Sequence, residues 1–210
     1  MLQATLNNIF VKVNTKYIGN MTDIMRLSAI QDNASVDGSD LVNIIGDVVS
    51  VPLKIENKRE YKGFTTDNIQ EGDIAIFSYL VISEIVAIPD KDDVNFKNRI
   101  WYEGEEYFAV DITRVFGVIR NGEIIMQNGY VMTTIPEESK IILPPHLRRI
   151  KKSAKCKVMN TGFPKTNKSS IEISIGDTVY CNPGAFQKYQ IKDKKFCIIT
   201  QNNIIGKKVL

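Results

Sequence analysis

Ile69-Gln70-Glu71-Gly72-Asp73-Ile74-Ala75-Ile76-Phe77 has a counterpart in the second half of the chain, Ile173-Ser174-Ile175-Gly176-Asp177-Thr178-Val179-Tyr180-Cys181. In each, a Gly-Asp turn leads into a short run of β-branched and aromatic residues, the pattern of a strand entered from a tight turn. The likeness continues outward in both directions. Asn7-Asn8-Ile9-Phe10-Val11-Lys12-Val13 resembles Asn128-Gly129-Tyr130-Val131-Met132-Thr133. Tyr107-Phe108-Ala109-Val110-Asp111, ending in Val115-Phe116-Gly117, lines up without a gap on Phe196-Cys197-Ile198-Ile199-Thr200, ending in Ile204-Ile205-Gly206. Strand-like segments repeated in one order indicate a duplicated unit. Asp73 and Tyr107 are 34 positions apart and Asp177 and Phe196 are 19 apart, so the first copy holds about 15 extra residues, centred on Asp90 to Asn98. An inserted loop explains them at low entropic cost. Asn121-Gly122, a hairpin-forming dipeptide, marks the boundary, giving units 1–121, with an insertion near 90–104, and 122–210, with a long loop over 136–155.

The rest of the chain agrees with an all-β reading. Ile9 to Val13, Ile45 to Val51, Asp73 to Phe77, Val115 to Ile119 and Ile198 to Thr200 alternate or run as β-branched stretches closed by Gly, Asn, Asp or Pro. Helix signals are confined to Met21, Ile24, Met25 and Ser28 on one face, and to a turn or two over Pro145 to Lys152. The 210 residues are 43% apolar and 24% charged, an ordinary globular composition that excludes collagen-like and mostly disordered chains. The apolar run Ser78 to Ile88 is broken by Ser83 and Glu84 and falls short of the roughly 20 residues that span a bilayer. The N-terminal stretch lacks the pattern of a secretory signal, which points to a cytoplasmic protein. Cys156, Cys181 and Cys197 are odd in number, far apart and form no CxxC, so they read as buried small hydrophobes rather than disulfides or a zinc site.

The net charge of +3 conceals a division. Residues 1–120 carry 12 Lys and Arg against 18 Asp and Glu, a balance of −6, whereas residues 121–210 carry 15 against 6, a balance of +9. Such a split bears on association. It suggests head-to-tail packing between copies or a basic half that faces something acidic, against the plainer alternative of two differently charged solvated faces.

The second unit also resembles a known family. A strand over Tyr130 to Ile135 leads into a polar segment holding Lys140-Ile141-Ile142-Leu143-Pro144. There follow Cys156-Lys157-Val158-Met159-Asn160 closed by Thr161-Gly162, then Ile175-Gly176-Asp177-Thr178-Val179-Tyr180, and finally Phe196 to Gly206. In order and spacing this resembles a GroES-type co-chaperonin subunit, with its Gly-Asp before a strand, its terminal Ile-Leu-Gly type strand and its apolar, proline-closed docking loop. The resemblance implies two tandem small GroES-like β-barrels with long loops, the first copy divergent. It assigns Ile141, Ile142, Leu143 and Pro144 to contact with a chaperonin ring. Ser139-Lys140 stand where that loop usually has paired glycines, and Asn14 to Asp40, in the corresponding place of the first copy, shows no apolar tripeptide followed by proline.

On physical grounds the longest loop of a small barrel is its natural contact site. Each of Ile141, Ile142 and Leu143 gains roughly 1.5–3 kcal/mol if fully buried in a partner groove, less the cost of ordering the loop. The competing reading makes them a buried strand of the unit's own barrel. Arg148, Arg149, Lys151, Lys152, Lys155 and Lys157 put six cations within ten positions, a phosphate-contacting patch in principle. They are not interleaved with aromatics for base stacking, which argues against nucleic acid and leaves an acidic protein surface as the better match. His146, the lone histidine, is the only candidate base for a Ser/His or Cys/His relay and lies in a Pro-Pro-His context, so no enzyme activity is expected. Asp90, Asp92 and Asp93 lack the spacing of a calcium loop, and neither a metal nor another cofactor is expected. Trp101, Tyr102 and Tyr107 read as core aromatics, with an interface as the alternative.

Two functions follow. The first is a homo-oligomeric co-chaperonin whose Lys140 to Pro144 loop docks on a chaperonin ring. The second reuses the fold as a virion structural protein, a phage capsid auxiliary or decoration subunit with capsid proteins as partners; the degenerate first copy favours it.

Overall fold

The structure is a computed structural model, which describes residues 2–5, 7–13, 45–56, 58, 61, 65–66, 69–78, 80–83, 85–87, 94–141, 151–162, 172–191 and 194–208. In chain order the strands of its first half are β1 (Asn8–Lys12), β2 (Ile45–Ser50), β3 (Ile74–Phe77), β4 (Ile85–Ala87), β5 (Val94–Phe96), β6 (Arg99–Tyr102), β7 (Glu105–Asp111), β8 (Val115–Arg120) and β9 (Glu123–Met126), with one helical turn, α1 (Leu80–Ser83), after β3. The second half contributes β10 (Tyr130–Thr133), β11 (Glu137–Ile141), β12 (Lys151–Thr161), β13 (Thr178–Cys181), β14 (Gln187–Ile191), β15 (Lys194–Thr200) and β16 (Ile204–Lys207). The fold is all-β, as the alternation predicts.

Two antiparallel sheets stand in tandem. One runs β6-β7-β1-β2-β3-β8-β9 and the other β14-β15-β10-β12-β13-β16, with β11 paired to β12 beside that path. Strand for strand the first six places correspond. The match reaches single residues: Ile9 lies opposite Val110 as Val131 lies opposite Ile199, and Ile76 opposite Gly117 as Tyr180 lies opposite Gly206. Even the irregularities recur, between Ile76 and Phe77 in one sheet and between Tyr180 and Cys181 in the other. The extra residues of the first half form the hairpin β4–β5 ahead of β6, and Arg99–Tyr102 have their counterpart in β14.

The Gly-Asp turns work alike in both sheets. Gly72 and Gly176 take φ of +89° and +95°, a region that favours glycine. The carboxylates of Asp73 and Asp177 then accept the N–H of Gln70 at 2.8 Å and of Ser174 at 2.9 Å. Asp73 is buried and also receives Nε and Nη2 of Arg120, each at 2.7 Å. Burial alone raises a carboxyl pKa; here the guanidinium and the backbone donor outweigh it and hold Asp73 below the usual carboxylate range. Asp177 is held low by the Ser174 N–H and by Lys207. A depressed folded-state pKa contributes stability that is present above the unfolded value, near pH 4, and lost as pH falls through the folded value. Asp73→Asn is therefore expected to cost about 1–3 kcal/mol at neutral pH and to flatten the acid limb of stability against pH, measured by urea melts between pH 2 and 7.

Each sheet wraps its own core. In the first, Ile9, Val11, Val48, Ala75, Phe77, Val110 and Val115 meet Val81 and Ile82 of α1. In the second, the equivalent positions Val131, Val158, Val179, Cys181, Ile199 and Ile204 cluster with Ile173 and Phe186 packed against them. A third cluster lies between the sheets: Ile45, Ile76, Phe116 and Met126 of the first pack on Met132, Tyr189, Phe196 and Ile198 of the second. Phe116 sets its ring edge-on to Tyr130 (centroids 4.6 Å apart) and to Tyr189 (6.1 Å). Polar contacts fix the junction, with Asn128 Nδ2 donating to the Ile112 carbonyl at 3.1 Å and Tyr130 Oη to that of Thr113 at 3.2 Å.

Asn121-Gly122 forms a turn, with φ of +51° and +82°, that joins β8 to β9 on the first sheet, and the chain passes between sheets at Gln127-Asn128-Gly129. Other expectations are corrected. Lys151 and Lys152, expected at the end of a helical turn, are strand residues of β12. Trp101 is not core. On the edge strand β6 it is 64% exposed, with the Arg99 guanidinium 5.5 Å from its ring centre. The expected helix over Met21 to Ser28 and the Asp90, Asp92, Asp93 cluster lie outside the described residues.

Candidate functional site

The loop expected over 136–155 is largely a β-hairpin. Glu137 pairs with Lys155, Ser139 with Ser153 and Ile141 with Lys151. In the backbone register Glu137 lies opposite Lys155 at the base and Lys140 opposite Lys152 further out. The long strand β12 serves three neighbours in succession: β10 along Val158–Thr161, β13 along Ala154–Lys157 and β11 along Lys151–Lys155. Among the described residues, Lys151 to Ser153 therefore pair with β11 alone, and the hairpin extends past the sheet as a two-stranded arm. At its root the Thr134 N–H donates to the Lys157 carbonyl at 2.9 Å, and the Lys157 N–H donates to Thr134 Oγ1 at 3.0 Å.

Ile141 is the last paired residue of β11, so the connection 142–150 begins beyond the end of the arm. Ile142, Leu143 and Pro144 fall in that connection and lie outside the described residues, as do His146, Arg148 and Arg149.

Of the six cations, Arg148 and Arg149 lie outside the described residues. Lys151 and Lys152 sit on the arm, whereas Lys155 and Lys157 are exposed on the outer face of the sheet, alternating with buried Ala154, Cys156 and Val158. Lys155 lies opposite Tyr180 and Lys157 opposite Thr178.

The three cysteines lie on strands β12, β13 and β15. All three are free and buried. Burial pushes the Cys197 thiol up to about 11, and Cys181 is raised by its hydrogen bond with Cys156 and by burial. Sequence spacing gave no hint that Cys156 and Cys181 meet, with sulfurs 4.0 Å apart, because the pairing of β12 with β13 is what brings them together. Among the described residues no group of three His, Cys, Asp or Glu side chains gathers as a metal site, and no helix is long and apolar enough to cross a membrane.

The second sheet repeats the strand order of the first and bears the paired strands β11 and β12 beside that path. Residues 123–208 match the family described as Chaperonin 10 Kd subunit, and the second half of the chain has the GroES-type co-chaperonin fold. No curated protein matches the chain. The matched stretch opens with β9, which in space completes the first sheet.

Proposed function

We propose that the protein is a non-enzymatic co-chaperonin: the arm β11–β12 presents Ile141, Ile142, Leu143 and Pro144 to an apolar groove of a chaperonin ring, and the chain works as a homo-oligomer of two-domain subunits divided near residues 121–128. The match of residues 123–208 to the co-chaperonin family supports this reading. The apolar residues at the join of an arm that leaves the sheet body fit it, since such a segment reaches a partner without disturbing the core. The cytoplasm, where chaperonins work, is the compartment this reading implies. Arg148, Arg149, Lys151 and Lys152 flank the apolar residues and suit an acidic rim around such a groove.

Ile142→Asp tests the loop. Burying one isoleucine is worth roughly 1.5–3 kcal/mol, so the variant is expected to bind a purified chaperonin ring at least about tenfold more weakly in the presence of ATP, its melting temperature unchanged. Binding equal to that of the parent protein rules the loop out as the docking element.

A further inference from the structure

We propose that Cys156 and Cys181 form an oxidation-sensitive pair, which a hydroperoxide closes to a disulfide that clamps the root of the arm. The inference stands on the pairing of β12 with β13 and does not depend on chaperonin docking. Cys181 lies opposite Ala154 and Cys156 opposite Val179, so the two cysteines are diagonal neighbours on the inner face of one ladder. Their sulfurs are 4.0 Å apart and share a hydrogen bond. A disulfide of about 2.05 Å asks each sulfur to move by about 1 Å. Cys181 stands at the register irregularity that follows Tyr180, where added twist re-aims a side chain.

The first unit shows that the fold does not require the pair. Gly46 and Phe77 take the two equivalent places, with Gly46 opposite Ala75 as Cys156 is opposite Val179, and Phe77 opposite Val115 as Cys181 is opposite Ile204. A Cβ on Gly46 meets the Lys12 carbonyl oxygen at 3.1 Å and the Val11 Cβ at 3.3 Å, so the first sheet leaves little room for a thiol there. In the second sheet Thr133 stands where Val11 does, and the smaller Cys181 replaces the phenylalanine. The two thiols in contact thus belong to the unit that carries the arm.

The thiols are not alike. The hydrogen bond with Cys181, joined by one with Thr133, outweighs burial and lowers the pKa of Cys156, whereas the shared bond and burial raise that of Cys181. Ionisation therefore falls on Cys156, and the thiolate is the nucleophile. Its sulfur attacks a peroxide oxygen, the O–O bond breaks, and the other oxygen leaves as an alcohol, or as water from hydrogen peroxide, with the proton the thiol gave up. The Cys181 sulfur then attacks the sulfenic acid so formed: the S–O bond breaks, the S–S bond forms, and the Cys181 proton leaves with the hydroxyl as water. The two sulfurs supply the two electrons that reduce the peroxide. Exposures of 4% for Cys156 and 0% for Cys181 admit a small oxidant and keep bulky thiol reagents out.

The place of the bond gives it a consequence. Along β12, Ala154–Lys157 pair with β13, and the strand continues into the arm through Lys151–Ser153. Closed, the pair ties the base of the arm covalently to the sheet body and constrains the unfolded chain over residues 157–180.

Mass mapping of the full chain decides it. The reduced protein is treated with hydrogen peroxide under native conditions, its remaining thiols are blocked in denaturant, and the digest is read by mass spectrometry. Loss of two hydrogens, a blocked Cys197 and a peptide pair joined through Cys156 and Cys181 are expected, all reversed by dithiothreitol. Cys197→Ala is expected to close the same bond and Cys156→Ala to close none. The oxidised chain is expected to melt at a higher temperature than the reduced one. Three blocked thiols after treatment, a bond that uses Cys197, or a sulfinic acid at Cys156 without the linked peptides overturns the proposal, and an oxidised chain that melts no higher overturns the clamp.

Discussion

Phe116→Ala is expected to lower the unfolding free energy by about 3–5 kcal/mol, the range for removing a fully buried phenylalanine. Phe116 stands on the outer face of β8, packs with Ile45, Ile76 and Met126 of its own sheet, and sets its ring edge-on to Tyr130 and Tyr189 of the other. Its loss opens a cavity shared by both halves, so the effect is on their coupling as well as on stability. Guanidinium melts followed by near-ultraviolet circular dichroism are the check. The parent protein is expected to unfold in one step and the variant in two, because each half keeps its own inner core. A variant that melts within 1 kcal/mol of the parent contradicts a load carried across the junction.

Gly162→Ala is the other large effect. A Cβ at this position falls 2.7 Å from the backbone N, C and O of Gln127, in the passage between the sheets, and backbone atoms cannot swing away as a side-chain tip can. The Gly162 N–H also donates to the Tyr130 carbonyl at 2.9 Å, so the strand end is held where the clash occurs. Overpacking of this kind costs about 1–3 kcal/mol and more when the backbone is fixed. Gly176→Ala is the informative comparison: φ of +95° strains alanine there, but the site is open, so a smaller loss in the same melts is expected. Equal losses at the two sites contradict a close approach at Gln127.

Much of the architecture was legible in the sequence because the repeat preserves what a strand needs. The gapless match of Tyr107–Asp111 to Phe196–Thr200 reappears as identical placement of β7 and β15 against β1 and β10. The Gly-Asp turns were legible for a similar reason, since a left-handed glycine followed by a carboxylate that caps its own turn leaves a short, specific signature. What stayed hidden was where units touch. Phe196-Cys197-Ile198-Ile199 is buried at every position, and a run buried on both faces does not reveal that one face points inward and the other at the neighbouring unit. Trp101 misled in the opposite sense: aromatic content argues for burial, yet its place on an edge strand leaves the ring exposed under Arg99.

At the candidate site, the apolar tetrapeptide Ile141-Ile142-Leu143-Pro144 and its basic flank were legible, but not the support beneath them. The alternation Ala154, Cys156, Val158 against Lys155, Lys157, Met159 already marks β12 as a half-buried strand. That β12 runs on as far back as Lys151 and carries β11 with it was obscured by the run of lysines, which reads as a solvated loop. The Asn121-Gly122 turn was legible as a hairpin dipeptide; it folds β9 onto the first sheet, while the co-chaperonin match starts on that same strand. One strand therefore belongs to one unit by sequence and completes the other in space, which ties the two halves together.

The most direct test of the co-chaperonin reading is affinity capture of the native protein at gentle salt from cells that make it, with and without ATP, followed by mass spectrometry. Chaperonin subunits recovered in an ATP-dependent complex are the expected result, and Ile142→Asp is expected to lose them. Capsid or other virion proteins in their place, with chaperonin no higher than in a mock capture, contradict that reading and make the arm an assembly contact of a virus particle.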